Sequence, residues 1–171
     1  MHEQIGREAA MPNPALTAFG VLVGRWTTVG SHPLVPGTTL HGRASFEWIE
    51  GGAFLVMRSE ILNDSRFPSG MAVFGHDDAQ GDWMMVYFDQ RRVSRIIHTS
   101  LSGKVWKTWP DAPGFSQRMT ATISDDGNTI TSVGELSRDG STWEADLSQT
   151  FTRERWGGRG APPPPRGTLR Q

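Results

Sequence analysis

The sequence predicts an all-β fold, an antiparallel up-and-down barrel of about ten strands with a short N-terminal helix. Three observations carry that expectation. Between Arg25 and Arg153 the side chains alternate with a period of two, in runs rich in Val, Ile, Thr, Phe and Trp. Turn-forming groups (EGGA, DDAQGD, DQRR, LSGK, DDGN and RDGS) interrupt those runs at intervals of roughly ten residues, as hairpin connections do. A meander of that length has two unpaired edges unless its first and last strands meet, which favours closure; a two-sheet sandwich is the second choice.

Taken in order, residues 1–13 are polar and aperiodic and are expected to form a flexible arm. Asn13 offers an N-cap and Pro14 a first helical position, with Leu16, Phe19 and Val23 at roughly helical spacing, so a short helix is expected to end at Gly20 or Gly24. Strands follow at 25–30, 38–50, 53–62, 70–76, 82–89, 92–101, 104–109, 115–124, 129–137 and 142–153, giving a barrel domain over 14–155. Residues 156–171, WGGRGAPPPPRGTLRQ, are expected to be a disordered tail. The prolines supply no ladder donors, and the glycines and arginines offer nothing to bury.

Turn positions predict which side chains face inward. A turn at Gly51-Gly52 sets Phe46 against Met57 and Trp48 against Leu55 on one face, and Arg43 against Glu60 on the other. At DDGN, Ile123 meets Ile130, Ala121 meets Ser132, Met119 meets Gly134 and Gln117 meets Leu136. A two-residue turn at RDGS sets Leu136 against Trp143, Gly134 against Ala145, Ser132 against Leu147 and Ile130 against Gln149. It also opposes Glu135 to Glu144, a like-charge pair that argues for a longer turn. Small Ala121, Gly134 and Ala145 and polar Gln117 and Gln149 then lie among the inward apolar residues, which implies internal space, and ten strands leave room for it. Turns at Gln90-Arg91 and Ser102-Gly103 group Met84, Val86, Phe88, Arg95, Ile97, Thr99, Trp106 and Thr108 on one face. Trp83, Met85, Tyr87, Ile96, His98 and Trp109 take the other, and the pattern does not decide which face is inward.

The inner phase of the last strand runs from Phe151 to Arg153, a cation pointing inward at the barrel end. Trp26 opens the first strand, so a closed sheet stacks guanidinium on indole, worth about 0.5–2 kcal/mol, while Gly24 lets the chain turn sharply before it. This GRW after a short helix, with an arginine closing the last strand in QTFTRER, resembles the Gly-x-Trp and terminal-arginine pattern of the calycin superfamily, the lipocalins and fatty-acid-binding proteins. More closely, LVGRW, EWIEGGAFLVMRSE, YFDQRRVSRI, APGFSQRM, SDDGNTI and DGSTWEADL are similar to bacterial lipocalin-like proteins of the DUF1579 type, over residues 15–153. That resemblance implies a barrel around an internal cavity and no established reaction. It also brings in the nitrobindins, ten-stranded haem barrels whose haem takes a histidine from a late strand. This chain has no histidine after His98, so no cofactor is expected.

A net charge of −1 and a pI near 6.5, with no basic stripe, give no pull toward nucleic acid or anionic lipid. The absence of cysteine excludes disulfides, thiol nucleophiles and thiolate metal sites. The first fourteen residues lack the apolar core of a signal peptide and no run of ~18 apolar residues occurs, so a cytoplasmic protein outside the membrane is expected.

The expected partner is a small, largely apolar molecule held by Phe46, Met57, Trp106, Met119 and Leu147 and oriented by Gln117, Gln149 and Arg95; homodimerisation is left open. An inward Arg95 would clamp a carboxylate or enolate, and an outward one would simply pair with an acid. The enzyme alternative uses the same cavity for cofactor-free cyclisation, isomerisation or hydration, with His98 as base and Tyr87 as donor. An interaction module with no internal ligand is the third reading. His76-Asp77-Asp78 reads as turn chemistry, since neighbours in a turn do not converge on one metal ion, and Trp83, Trp106 and Trp109 read as core. Two outcomes test these readings. Deleting residues 157–171 is expected to leave cooperative unfolding and cavity binding intact. Gly134→Leu or Ala145→Phe is expected to block uptake of an apolar fluorophore at a cost of about 1–3 kcal/mol.

Overall fold

Burial alternates along the strands, and their inward positions converge on one axis because the sheet closes. The structure, a computed structural model, describes residues 10–110 and 115–155; the expected tail and the first nine residues of the expected arm lie outside them. The strands are β1 (Gly24–Ser31), β2 (Leu40–Ile49), β3 (Phe54–Ile61), β4 (Gly70–Asp77), β5 (Asp82–Asp89), β6 (Ser94–Ser102), β7 (Val105–Pro110), β8 (Ser116–Ile123), β9 (Thr129–Ser137), β10 (Glu144–Ala145) and β11 (Ser148–Arg153). From β1 to β9 each strand pairs antiparallel with the next, and β11 lies between β9 and β1. Short β10 precedes β11 along the same neighbour, β9, so the two fill one position and the closed barrel has 10 strands.

The N-terminal helix is a 3-10 helix, Pro14–Leu22, with the Asn13 side chain accepting from the Ala15 N–H at 3.1 Å. Its period of three lines up Leu16, Phe19 and Leu22, all buried, on a single stripe, so Leu22 takes the place expected of Val23. That stripe plugs one end of the barrel. Phe19 packs on Phe74 at 5.1 Å between centroids, and Trp83 Nε1 donates to the Ala15 carbonyl at 2.7 Å. The Asn13 N–H donates to the Gly52 carbonyl at 2.9 Å, which ties the end of the expected arm to the β2–β3 turn. Above the plug, Phe46, Phe74 and Trp106 fill the interior, with Trp106 edge-on to Phe46 at 5.7 Å. Trp106 Nε1 donates to Thr99 Oγ1 at 2.9 Å, so the buried indole N–H is satisfied.

The registers expected for β2–β3 and β8–β9 are those observed, including Phe46 opposite Met57 and Gln117 opposite Leu136. At β5–β6 the loop has three residues, Gln90–Arg92, with Arg92 at φ 68° and the Asp89 N–H donating to the Val93 carbonyl at 3.0 Å. Tyr87 therefore opposes Arg95 and Trp83 opposes Thr99, so Trp83, Met85 and Tyr87 face inward and Met84, Val86 and Phe88 outward. One extra loop residue reverses the phase of β5 that a two-residue turn implies. The β6–β7 turn is Gly103-Lys104, a shift of two that leaves the faces of those strands as expected.

The last connection departs most. Its loop is longer than two residues, with Asp139 accepting the Ser141 and Thr142 N–H groups at 2.8 and 2.7 Å, bonds that lower its pKa. Glu144 then opposes Leu136, and Ala145 opposes Glu135 on the outer phase rather than Gly134 on the inner one. Glu135 pairs instead with Arg118 at 2.7 Å, and Trp143 turns outward beneath the Arg118 guanidinium at 3.8 Å, which removes the Glu135–Glu144 clash. A β-bulge at Asp146–Ser148 adds one residue, and Gln149 opposite Ser132 and Phe151 opposite Ile130 return to the inner phase. Gly134 is therefore not spare room. A Cβ there would collide with the Leu147 carbonyl oxygen of the bulge. Gly134→Ala is expected to lower stability by about 1–3 kcal/mol in a denaturant titration, without closing any ligand space.

Closure takes the expected form. Trp26 and Arg153 are register partners, and the guanidinium lies 4.1 Å from the indole ring. Arg153 also donates to three backbone carbonyls: Val23 at 2.5 Å, Val21 at 2.7 Å, and Gly127 at 3.1 Å from Nε and 3.0 Å from Nη2. Burial alone draws its pKa down. Gly24, at φ 140°, is required twice over, because a Cβ would lie 2.6 Å from Arg153 Nη1. Arg153→Ala is expected to lower the denaturation midpoint by an amount worth about 1–3 kcal/mol, since three carbonyls and an indole face lose their partner. Arg153→Lys is expected to recover little of it, because one ammonium cannot both stack and reach all three carbonyls.

Candidate functional site

Away from the plugged end the inward residues become small or polar: Thr28 on β1, Ala44 on β2, Ser59 on β3, Gln117 on β8 and Gln149 on β11. Side chains of that size do not fill a 10-strand barrel, and a cavity of about 630 Å³ remains, open to solvent. Leu34, Ile61, Phe67, Leu136, Leu147 and Phe151 supply its apolar lining, and Thr28, Ser59, Tyr87, Gln117, Asp146 and Gln149 its polar groups.

The polar groups are held by one another. Asp146, 8% exposed, accepts from His32 Nε2 through one oxygen and from Gln117 Nε2 through the other, both at 2.7 Å. Its backbone N–H donates to the Gly134 carbonyl at 3.0 Å, continuing the β9–β10 register, so the longer loop before β10 puts this carboxylate on the inner phase. His32 Nδ1 accepts the Leu34 N–H at 3.0 Å, which requires a lone pair there and places the proton on Nε2. The His32 ring also packs edge-on against Phe67 at 5.1 Å and joins the β1–β2 and β3–β4 loops across the mouth. Gln149 Nε2 donates to Thr28 Oγ1 at 3.3 Å. Tyr87 donates to Asp89 Oδ2 at 3.3 Å; its burial, then the Asp89 charge, pushes its pKa up and keeps it a donor. Arg91 in turn bonds Asp89 at 2.7 Å and Arg66 bonds Asp64 at 2.5 Å, so each of these rim arginines carries its own acid, whose pKa it lowers.

Of the residues expected to contact a ligand, Gln117, Leu147 and Gln149 come together on this cavity. Phe46 and Trp106 lie in the closed aromatic core, and Met57 and Met119 pack against it. Arg95 shares the inward phase but sits exposed at the rim, 5.6 Å from the Phe115 ring. His98 stacks on Trp109 at 5.6 Å and opposes Met84 on the outer phase, so it faces away from Tyr87 and the expected base and donor do not meet. The three-residue β5–β6 loop is the reason. Trp83 and Trp106 are inward as expected of core residues, whereas Trp109 is exposed on the outside. Asp77 accepts the Ala79 N–H at 2.9 Å as a turn residue, and among the described residues no three His, Asp or Glu side chains converge as metal ligands.

Sequence reasoning missed His32 and Asp146. Asp146 reaches the interior because the loop before β10 is longer than two residues, a length no local motif announces, and His32 lies in a connection that strand periodicity does not cover. A second depression of about 780 Å³ lies over the outside of β2–β5, lined by Arg43, Arg58, Glu60, Met71 and Phe88 among others. Two of its arginines already pair, Arg43 with Glu60 and Arg58 with Glu47, and it lies on the outer face, so the interior cavity is the better candidate.

Fold and site together define a calycin-like antiparallel barrel, plugged at one end by a 3-10 helix and open at the other. The crystal structure of Rv2717c from M. tuberculosis is similar at a TM-score of 0.57 and 18% sequence identity, over 83% of this chain and 98% of that one, a likeness that establishes the fold alone. No protein-family model and no curated protein sequence matches the chain. No helix among the described residues is long and apolar enough to cross a membrane. For the site itself, long-range proton–nitrogen NMR is expected to show the His32 tautomer with its proton on Nε2. In Asp146→Ala, whose Nε2 partner is gone, the Leu34 amide is expected to exchange faster.

Proposed function

We propose that the open half of the barrel binds a small, largely apolar molecule, as a carrier or sensor would. The observation that supports this is the cavity of about 630 Å³, within the usual range for ligand sites of about 300–1,000 Å³, with apolar walls and a few polar groups held in place by fixed partners. Packed barrels fill both ends, and here only the end beneath the 3-10 helix is filled. A template enzyme would need a titratable group free to move a proton. Both nitrogens of His32 are engaged, and His98 lies outside, so binding is the reading the site favours. Membership of the DUF1579-type group and a cytoplasmic setting belong to the same proposal; the first rests on the ordered turns, the second on the cysteine-free composition.

N-phenyl-1-naphthylamine, a neutral apolar fluorophore, is expected to brighten on binding the parent protein. Ser59→Phe, which points a ring into the open half from β3, is expected to abolish that signal at a stability cost of about 1–3 kcal/mol. No brightening with the parent protein would reject the proposal.

A further inference from the structure

We infer that the cavity selects molecules whose polar end donates hydrogen bonds, above all a primary ammonium, and disfavours carboxylates. This rests on the binding proposal above and names the ligand class for the same site. The reason is which end of each polar side chain remains available. An ionised carboxylate can only accept, so the Gln117 group facing Asp146 is the NH₂, and Oε1 is the atom left over. Gln149 likewise directs its nitrogen to Thr28 and keeps Oε1. Tyr87 and His32 direct their donors to Asp89 and Asp146, which leaves the Thr28 and Ser59 hydroxyls, able to donate or accept, as the other lining donors. What the cavity offers is therefore mostly oxygen: Asp146, Gln117 and Gln149.

The charge points the same way. His32 Nδ1 accepts the Leu34 N–H, so the ring meets Asp146 as a hydrogen-bond donor through Nε2. The cations around the mouth are occupied or offset. Arg66 and Arg91 bind Asp64 and Asp89, Arg43 binds Glu60, and Arg138 lines the rim together with Glu144. Arg95, the residue that would clamp a carboxylate, lies at the rim on Phe115 and outside the cavity lining. A buried anion in weakly screened surroundings thus lacks a cation, and an ammonium's three N–H groups suit three acceptors on one wall. A carboxylate would set like charge against Asp146.

The test is displacement of N-phenyl-1-naphthylamine from the parent protein by decylammonium, decanol and decanoate at neutral pH, each below its micellar concentration. Decylammonium is expected to displace at concentrations about tenfold or more below decanoate, with decanol between them. The gap between cation and anion is expected to vanish in Asp146→Asn, which keeps the shape and removes the charge. If that variant does not fold, Gln117→Leu is expected to narrow the gap by removing an acceptor. Equal or better displacement by decanoate, or an unchanged gap in a folded variant, overturns the inference while leaving cavity binding standing. Absence of fluorophore uptake by the parent protein defeats the binding proposal itself, so the two failures are distinct.

Discussion

The stacking of Arg153 on Trp26 joins the end of the last strand to the start of the first, and the rest of the barrel depends on that junction. A ten-strand meander is stable only when its edges meet, because each open edge exposes a row of unpaired backbone groups. Trp26 is fully buried, and its indole nitrogen donates to Leu22 at 2.9 Å, so the strand, the helix end and the arginine form one unit. Among the described residues the guanidinium pairs with no carboxylate. Its partners are carbonyls from the helix end and the β8–β9 turn, whose last-turn oxygens would otherwise lack donors. One side chain thus closes the sheet and anchors the plug.

Closing one end determines what the other end can be. The aromatic residues concentrate beneath the helix, where Phe19, Phe46, Phe74 and Trp106 meet at ring-centroid separations of 5.1–6.4 Å. Stability comes mainly from that half, since burial of large apolar surface is the dominant favourable term in folding. The open half is thereby released from a packing role and can carry polar groups. Thr28, Gln117, Asp146 and Gln149 stay ordered there because they bond one another in pairs, with no buried side-chain polar atom left unsatisfied among the described residues.

The bulge between β10 and β11 links these halves. Two one-residue offsets, one in the loop before β10 and one in the bulge, restore the inner phase for Gln149, Phe151 and Arg153. Without the bulge's offset Arg153 would point outward and the closure would fail. The longer loop before β10 turns Asp146 inward, and the bulge seats the Leu147 carbonyl against Gly134. The loop offset that gives the cavity its charge is the one the bulge must undo for the sheet to close.

How much was legible from sequence follows from the range of the interactions. The alternation of apolar and polar residues, the turn groups and the Gly24, Trp26, Arg153 set determined an all-β barrel, its strand order and its closure, because a period of two and glycine turns act locally. The registers at Gly51-Gly52 and DDGN were legible for the same reason. Loop length was not. Two residues or three at Gln90–Arg92 look alike in composition, yet one residue turns every side chain of β5 over, and with it Tyr87 and the supposed pairing with His98. Nor does alternation tell a filled layer from an empty one, so Phe46, Met57, Trp106 and Met119 read as cavity wall until the helix was seen to plug their end. The sequence by itself determined that these strands close, whereas only the tertiary structure decided that Asp146, His32 and Gln117 share a cavity. Those three are far apart in the chain and are joined through a loop offset and a loop crossing, whose geometry is set by packing and not by any local pattern of residues.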